Sequence, residues 1–151
     1  MLNNYPSDKK TGLLVWKAAI LWQNSLRNIL KEFSMTLNEF IILETLLILD
    51  KSKNITTQTL LSKSSGVDIS VVSTVLYSLL EKELIIKKSD MDNRKKIIEL
   101  TLKANSLLNR ILPKINNVES NIFGKLRKEE LNFCNSLRLI LGKKIKIKAE
   151  R

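Results

Sequence analysis

The segment Glu81–Thr101, EKELIIKKSDMDNRKKIIELT, admits few folds. Two short apolar runs, Leu84-Ile85-Ile86 and Ile97-Ile98, flank a turn dense in Lys, Arg, Asp and Asn. Runs of this kind joined by polar turn residues predict a β-hairpin, here with a mostly cationic tip. The residues before it are helical in pattern, so the hairpin follows an amphipathic helix directly. Helix end, strand, charged turn, strand is the order of a winged helix-turn-helix, a device that grips duplex DNA.

The chain upstream supports that reading. Thr56 is placed to cap a short helix ending near Ser65, and Gly66 suits the left-handed position after a helix end. Asp68 is placed to cap a second helix from about Ile69 to Glu83. Two short helices around a Gly-containing turn form a helix-turn-helix. In the second, Val72, Val75, Leu76, Leu79 and Leu80 form one apolar stripe. Ser70, Val71, Ser73, Thr74, Tyr77 and Ser78 are left outside it. Solvated helix faces favour Lys and Glu; small hydroxyls and one Tyr suit close approach to another surface.

Flanking helices complete the pattern. Gly12 to about Phe33 is helical, with an apolar stripe (Leu13, Leu14, Trp16, Ala18, Ile20, Leu21, Leu26) wider than one contact requires. It has room for two partners, its own domain and another subunit. Thr36-Leu37-Asn38-Glu39 fits a capping box opening a buried helix to about Leu49. Thr101 is placed to cap a long helix that Pro113 should kink or interrupt and Gly124 should end. Glu129 and Glu130 begin a last helix that Gly142 stops. Residues 1–10 read as a loose leader, and the basic end KKIKIKAER as a frayed tail with general attraction to DNA.

Composition narrows the chemistry. A formal net charge of +11 on 151 residues favours polyanionic partners, nucleic acid foremost. The chain has no His and a single cysteine, Cys134, which argues against Cys/His zinc sites, an internal disulfide and the commonest general base. No phosphate-cradling Gly loop or nucleophile–base pair is evident, so an enzyme is not expected, and neither is a metal or cofactor. Cys134 sits in an apolar stripe and reads as an inert thiol. The start MLNNYPSDKK is polar and shows no signal-peptide pattern, and no long uncharged apolar run suggests a membrane span. A cytoplasmic location is the default expectation.

The order helix, helix, helix-turn-helix, wing, two long helices resembles the MarR family of bacterial transcription regulators. Asp92-Asn93-Arg94 followed by Ile98-Glu99-Leu100-Thr101 resembles that family's D-x-R turn and its strand ending in Leu-Thr. Ile55-Thr56, Leu60 and Gly66 to Asp68 resemble its first helix-turn-helix helix and turn. Val75, Leu79, Glu81, Lys82 and Leu84-Ile85 resemble the end of its recognition helix, and the opening Gly12-Leu13-Leu14, Trp16 and Leu21-Trp22-Gln23 resembles one branch of that family. Glu83 departs from the pattern, since many members carry Gly before the first wing strand. The resemblance covers about Gly12 to Leu141. It implies a mostly α fold with a small β-wing, built as a homodimer whose N- and C-terminal helices interleave. It also implies binding to palindromic operator DNA, usually as a repressor, and in many members release by a small aromatic or phenolic ligand.

On this reading the chain divides into a leader and dimerisation helix (1–36), a winged helix-turn-helix (37–104), C-terminal dimerisation helices (105–142) and a basic tail (143–151). Ser70, Ser73 and Thr74 can hydrogen-bond to bases or phosphates, Val71 can pack on a thymine methyl, and Tyr77 can reach a phosphate. With no Arg, Asn or Gln on that face, readout rests on thymine methyls and DNA shape. Arg94 is the candidate for minor-groove insertion, with Asp92 pairing a nearby Arg or capping the turn. Lys88, Lys95 and Lys96 are placed to neutralise phosphates, and Asn54 and Thr57 to touch phosphate at the helix-turn-helix entrance. The same lysines would also blunt a sheet edge. Trp16, Trp22 and Phe40, with Phe33, fall on helices that line the ligand crevice in this family, although core and dimer packing explains most such aromatics. The competing reading is a winged-helix module that binds protein or RNA without operator specificity.

Overall fold

The wing and the helix before it are joined by a turn that the sequence disfavours. In a computed structural model, which describes residues 10–147, helix α4 (Ile69–Glu81) ends with Glu83 at φ 57°, and strand β1 (Ile85–Ser89) begins two residues later. The Leu84 N–H donates to the Leu79 carbonyl at 2.9 Å and the Glu83 N–H to Leu80 at 2.9 Å. These bonds make a Schellman end with Glu83 in the left-handed position where Gly is usual. Thr101 braces the turn, its hydroxyl donating to the Glu83 carbonyl at 2.8 Å and its N–H to Leu84 at 3.1 Å. Glu83→Gly is expected to raise stability by about 0.5–1 kcal/mol, strain relief outweighing the added freedom of the unfolded chain. Thermal unfolding should move up about 2 °C; a fall would show that strain relief at Glu83 is smaller than the added freedom of the unfolded chain.

Six α-helices and one hairpin make up the described residues: α1 (Thr11–Leu30), α2 (Leu37–Lys51), α3 (Gln58–Ser65), α4, α5 (Leu102–Phe123) and α6 (Glu130–Ile140). Short 3-10 turns follow α1 (Lys31–Phe33) and precede α6 (Gly124–Glu129). Strand β1 pairs antiparallel with β2 (Lys96–Leu100), Ile85 opposite Leu100 and Lys87 opposite Ile98. Ile85 and Ile98 point into the core and Lys88 and Glu99 away from it. One core holds the lobe together, with Phe40, Leu43 and Leu46 of α2, Leu61 of α3, Val72, Leu76 and Leu79 of α4, and Leu108 and Ile111 of α5. Leu26 and Leu30 close it from the end of α1.

The capping box at Thr36 and Glu39 forms, with both reciprocal bonds present. Asp68 caps α4 and Thr101 caps α5. Thr56 does not cap α3. It is buried, and its carbonyl accepts from the Ile98 N–H at 2.9 Å, adding one rung to the edge of the wing. Capping falls to Thr57, whose hydroxyl accepts from the Leu60 N–H. Ser78 also departs from expectation: it turns inward to donate to Glu39. Helix α5 neither breaks nor ends at Pro113. A proline can offer no N–H to the carbonyl one turn back, so the helix is held there by its buried face, Leu108, Ile111 and Ile115. The expected leader at 1–9 and the last residues, 148–151, lie outside the described residues. The basic segment before them is tied down, the Asn135 side chain exchanging two hydrogen bonds with the Lys146 backbone at 2.7 and 2.9 Å. No helix among the described residues is long and apolar enough to cross a membrane.

Candidate nucleic-acid interface

Helix α4 presents its hydroxyl face to solvent. Ser70, Val71, Ser73, Thr74 and Tyr77 are all exposed, and Ile69 joins them at the helix start. Some of their donors are already used. The Ser70 hydroxyl and N–H both donate to Asp68, holding its carboxyl below the usual range through the bonds from Ser70. The Thr74 hydroxyl donates to the Ser70 carbonyl at 3.4 Å. Ser73 and Tyr77 make no side-chain hydrogen bond within the described residues, so theirs are the donors this face leaves free.

The wing tip is built on a residue that the sequence reading passed over. Asp90, not Asp92, holds the turn: its carboxylate accepts from the Arg94 N–H at 3.0 Å and the Lys95 N–H at 3.3 Å. Its own N–H donates to the Lys95 carbonyl at 3.0 Å. Asp92 is exposed and makes no ion pair or hydrogen bond among the described residues. Asp at the opening of a turn is a recognised Asx signal, which could have found Asp90. Two of the four candidate cations of the wing are engaged: Lys88 pairs with Glu99 at 2.7 Å, and Lys96 donates to the Ser89 hydroxyl at 2.8 Å. The side chains of Arg94 and Lys95 are exposed and make no such bond.

Between the wing and the start of α3 lies an open cleft of about 540 Å³. Thr57, Gln58, Thr59 and Lys63 border it from α3, and Lys95 and Lys96 from the wing. Three lysines from segments distant in sequence thus border one cleft. Gln58, Thr59 and Lys63 were not legible as site residues, because nothing in the chain order says that α3 faces the hairpin. Asn54 stands apart, behind the hairpin, in a small recess with Asp50 and Glu99.

The aromatic candidates do not form one site. Phe40 is wholly buried in the lobe core, and Trp16 is 65% exposed on α1. Phe33 is covered by Arg110 and Lys114, whose charges lie about 5.4 and 5.5 Å from its ring. Trp22 borders an apolar groove of about 440 Å³ between α1 and the α5–α6 turn, opposite Phe123, Phe133 and Leu137. Its indole N–H donates to Glu119 at 3.1 Å, pinning α1 to α5.

The family described as Transcriptional regulator SarA/Rot matches residues 25–111, the stretch that holds the helix-turn-helix and the wing. A Bacillus subtilis protein, the uncharacterised HTH-type transcriptional regulator YdcH, is 28% identical over 131 residues, 86% of this chain and 88% of its own. Among solved structures, a MarR family regulator from Silicibacter pomeroyi superposes with a TM-score of 0.78 at 22% identity, covering 91% of this chain and 93% of that one. Bordetella bronchiseptica BpsR, whose DNA binding is regulated by 6-hydroxynicotinic acid, superposes at 0.77 and 18% identity over 93% and 98% of the two chains. With the family match spanning more than half of its length and a MarR-type winged helix as its fold, this chain belongs to the SarA/Rot family of transcriptional regulators.

Proposed function

We propose that the protein is a homodimer that binds a palindromic operator and represses transcription from it. One observation carries the reading: the free hydroxyls of α4, the free Arg94 and Lys95 of the wing and the cationic cleft beside α3 belong to one lobe. A recognition helix enters the major groove, a wing tip the neighbouring minor groove, and lysines line the phosphates between. In this arrangement Ser73 and Tyr77 donate to bases or phosphate, Val71 packs on thymine methyls, and Ser70 and Thr74 act chiefly as acceptors. Arg94 enters a narrow, A·T-rich minor groove. Lys63, Lys95 and Lys96 neutralise phosphates, and Thr57 lies at their flank.

The dimer reading is supported by apolar surface that one chain leaves uncovered. Leu14, Trp16 and Leu21 of α1 are exposed, and so are Leu139, Ile140 and Leu141 at the end of α6. The groove beside Trp22 is continuous with α1 and supports a further step, in which a small aromatic ligand seated there changes the spacing of the lobes and releases DNA.

Footprinting of genomic fragments selected by the protein tests the proposal. Two protected half-sites about one helical turn apart are the expected result; an unstructured smear would point instead to an interaction module without operator specificity. Arg94→Ala should weaken binding at least about tenfold and lower the salt slope by about 1, with the dimer intact. Unchanged affinity and slope would remove the wing from the mechanism.

A further inference from the structure

The wing tip carries a side chain that charge alone does not explain. Met91 is fully exposed, at 102% of its reference area, in a turn otherwise made of Asp, Asn, Arg and Lys. Isolated apolar side chains are common on protein surfaces and usually mean nothing. Here the turn beneath it is fastened at both ends, at Asp90 and at Asn93 to Lys95. Asp90 closes it through the Arg94 and Lys95 N–H groups, and the Asn93 N–H donates to the Asp90 carbonyl at 3.0 Å. Asn93 supplies the reversal at φ 54°. The Asp90 carboxylate is therefore turned inward, and the braced tip holds out Met91 three residues before Arg94.

We propose that Met91 is the apolar contact of the wing in the DNA minor groove, packing on the deoxyribose walls and floor of an A·T step beside Arg94 and adding to sequence preference there. This rests on the wing entering that groove. Over A·T pairs the groove floor shows only the adenine N3 and thymine O2 acceptors; a G·C pair adds a guanine amino donor. A thioether is at best a weak acceptor, so covering that amino group with Met91 leaves its hydrogen bond unmade. Met is flexible enough to fit a narrow groove and is among the side chains that minor-groove proteins insert. Arg94 then supplies the salt-dependent part of the wing contact and Met91 the part that salt does not screen.

The two contributions separate experimentally. Full-length wild type, Met91→Ala, Met91→Leu and Arg94→Ala are titrated across a salt series with a duplex selected by the wild type from a random-sequence library. The titrations are repeated with 2,6-diaminopurine in place of the adenines beneath the wing, which adds an amino group to the minor groove and leaves the major-groove edge unchanged. Met91→Ala should bind about five- to tenfold more weakly with an unchanged salt slope, and Met91→Leu within about twofold of wild type. Diaminopurine should weaken wild type about tenfold and Met91→Ala at least about threefold less than that. Met91→Ala binding like wild type, or suffering the full diaminopurine penalty, would overturn the role of Met91. The wing reading would survive that result if Arg94→Ala still lowered the slope. If Arg94→Ala also left affinity and slope unchanged, the wing reading itself would fall.

Discussion

A chain ending at Leu126 is expected to be a folded monomer that has lost operator binding by about a hundredfold or more. The cut removes α6 and the segment after it but leaves the lobe core, since Leu108, Ile111 and Ile115 all precede it. With α6 go Phe133 and Leu137, which form one wall of the groove beside Trp22, and the exposed Leu139, Ile140 and Leu141. Of the apolar surface assigned to the dimer only that of α1 remains, without the α6 surface that would cover it. A monomer engages one half-site, and the second contact is no longer intramolecular, so the gain from linking two lobes disappears. Sedimentation equilibrium gives the mass, and a salt-matched titration gives the affinity. The segment after Gly142 also carries positive charge, so a second truncation that keeps α6 and removes only residues 143–151 is the control. It should stay dimeric and lose only salt-dependent affinity. A stable dimer from the shorter chain would show that α6 is not part of the interface.

Much of the architecture was legible because local signals agreed with one another. The capping box at Thr36, the caps at Asp68 and Thr101, and the two apolar runs flanking a charged turn in the wing each need only neighbours in sequence. The failures share a cause, which is that tertiary contact reassigns a locally plausible role. Thr56 and Thr57 are equally good caps in isolation; the rung to Ile98 decides between them. Ser78 belongs to the hydroxyl face by period, yet Glu39 draws it inward. Asp92 matches the family turn, but Asp90 reaches the N–H groups. Helix ends were harder still. Ser34, Lys53 and Glu83 all take left-handed conformations that glycine would advertise, and this chain has only four glycines. The basic cleft needed α3 set beside the hairpin, and no single segment encodes that.

Glu39 is a polar position where a single substitution should damage stability strongly. It is only 2% exposed, on α2, and gathers three donors: the Thr36 N–H at 2.9 Å, the Lys82 ammonium at 2.8 Å and the Ser78 hydroxyl. Lys82 also donates to the Ser34 carbonyl at 2.8 Å, so the network ties the start of α2 to the last turns of the recognition helix. Glu39→Ala strands the inward-facing Ser78 hydroxyl and the Thr36 N–H and removes the partner of Lys82. The cost should be about 2–4 kcal/mol, below that of a fully buried pair because Lys82 is 38% exposed and can turn to water. The melting point should fall about 10 °C. Burial pushes the Glu39 carboxyl upward, but the bonds from Lys82, Ser78 and Thr36 and the charge of Lys82 outweigh it, and the net shift is downward. The folded state thus holds this proton less readily than the unfolded chain. Its contribution is complete above the ordinary value of 4.5 and is lost as pH falls through the lower folded value. Glu44 runs the other way, raised by burial and by the Glu119 carboxylate, so the acid limb of wild type alone mixes opposite slopes. The difference between wild type and Glu39→Gln cancels Glu44 and isolates the network. That difference should be flat near neutral pH and shrink below about 4.5. A constant difference through the acid range would mean that the Glu39 charge does not bind α2 to α4.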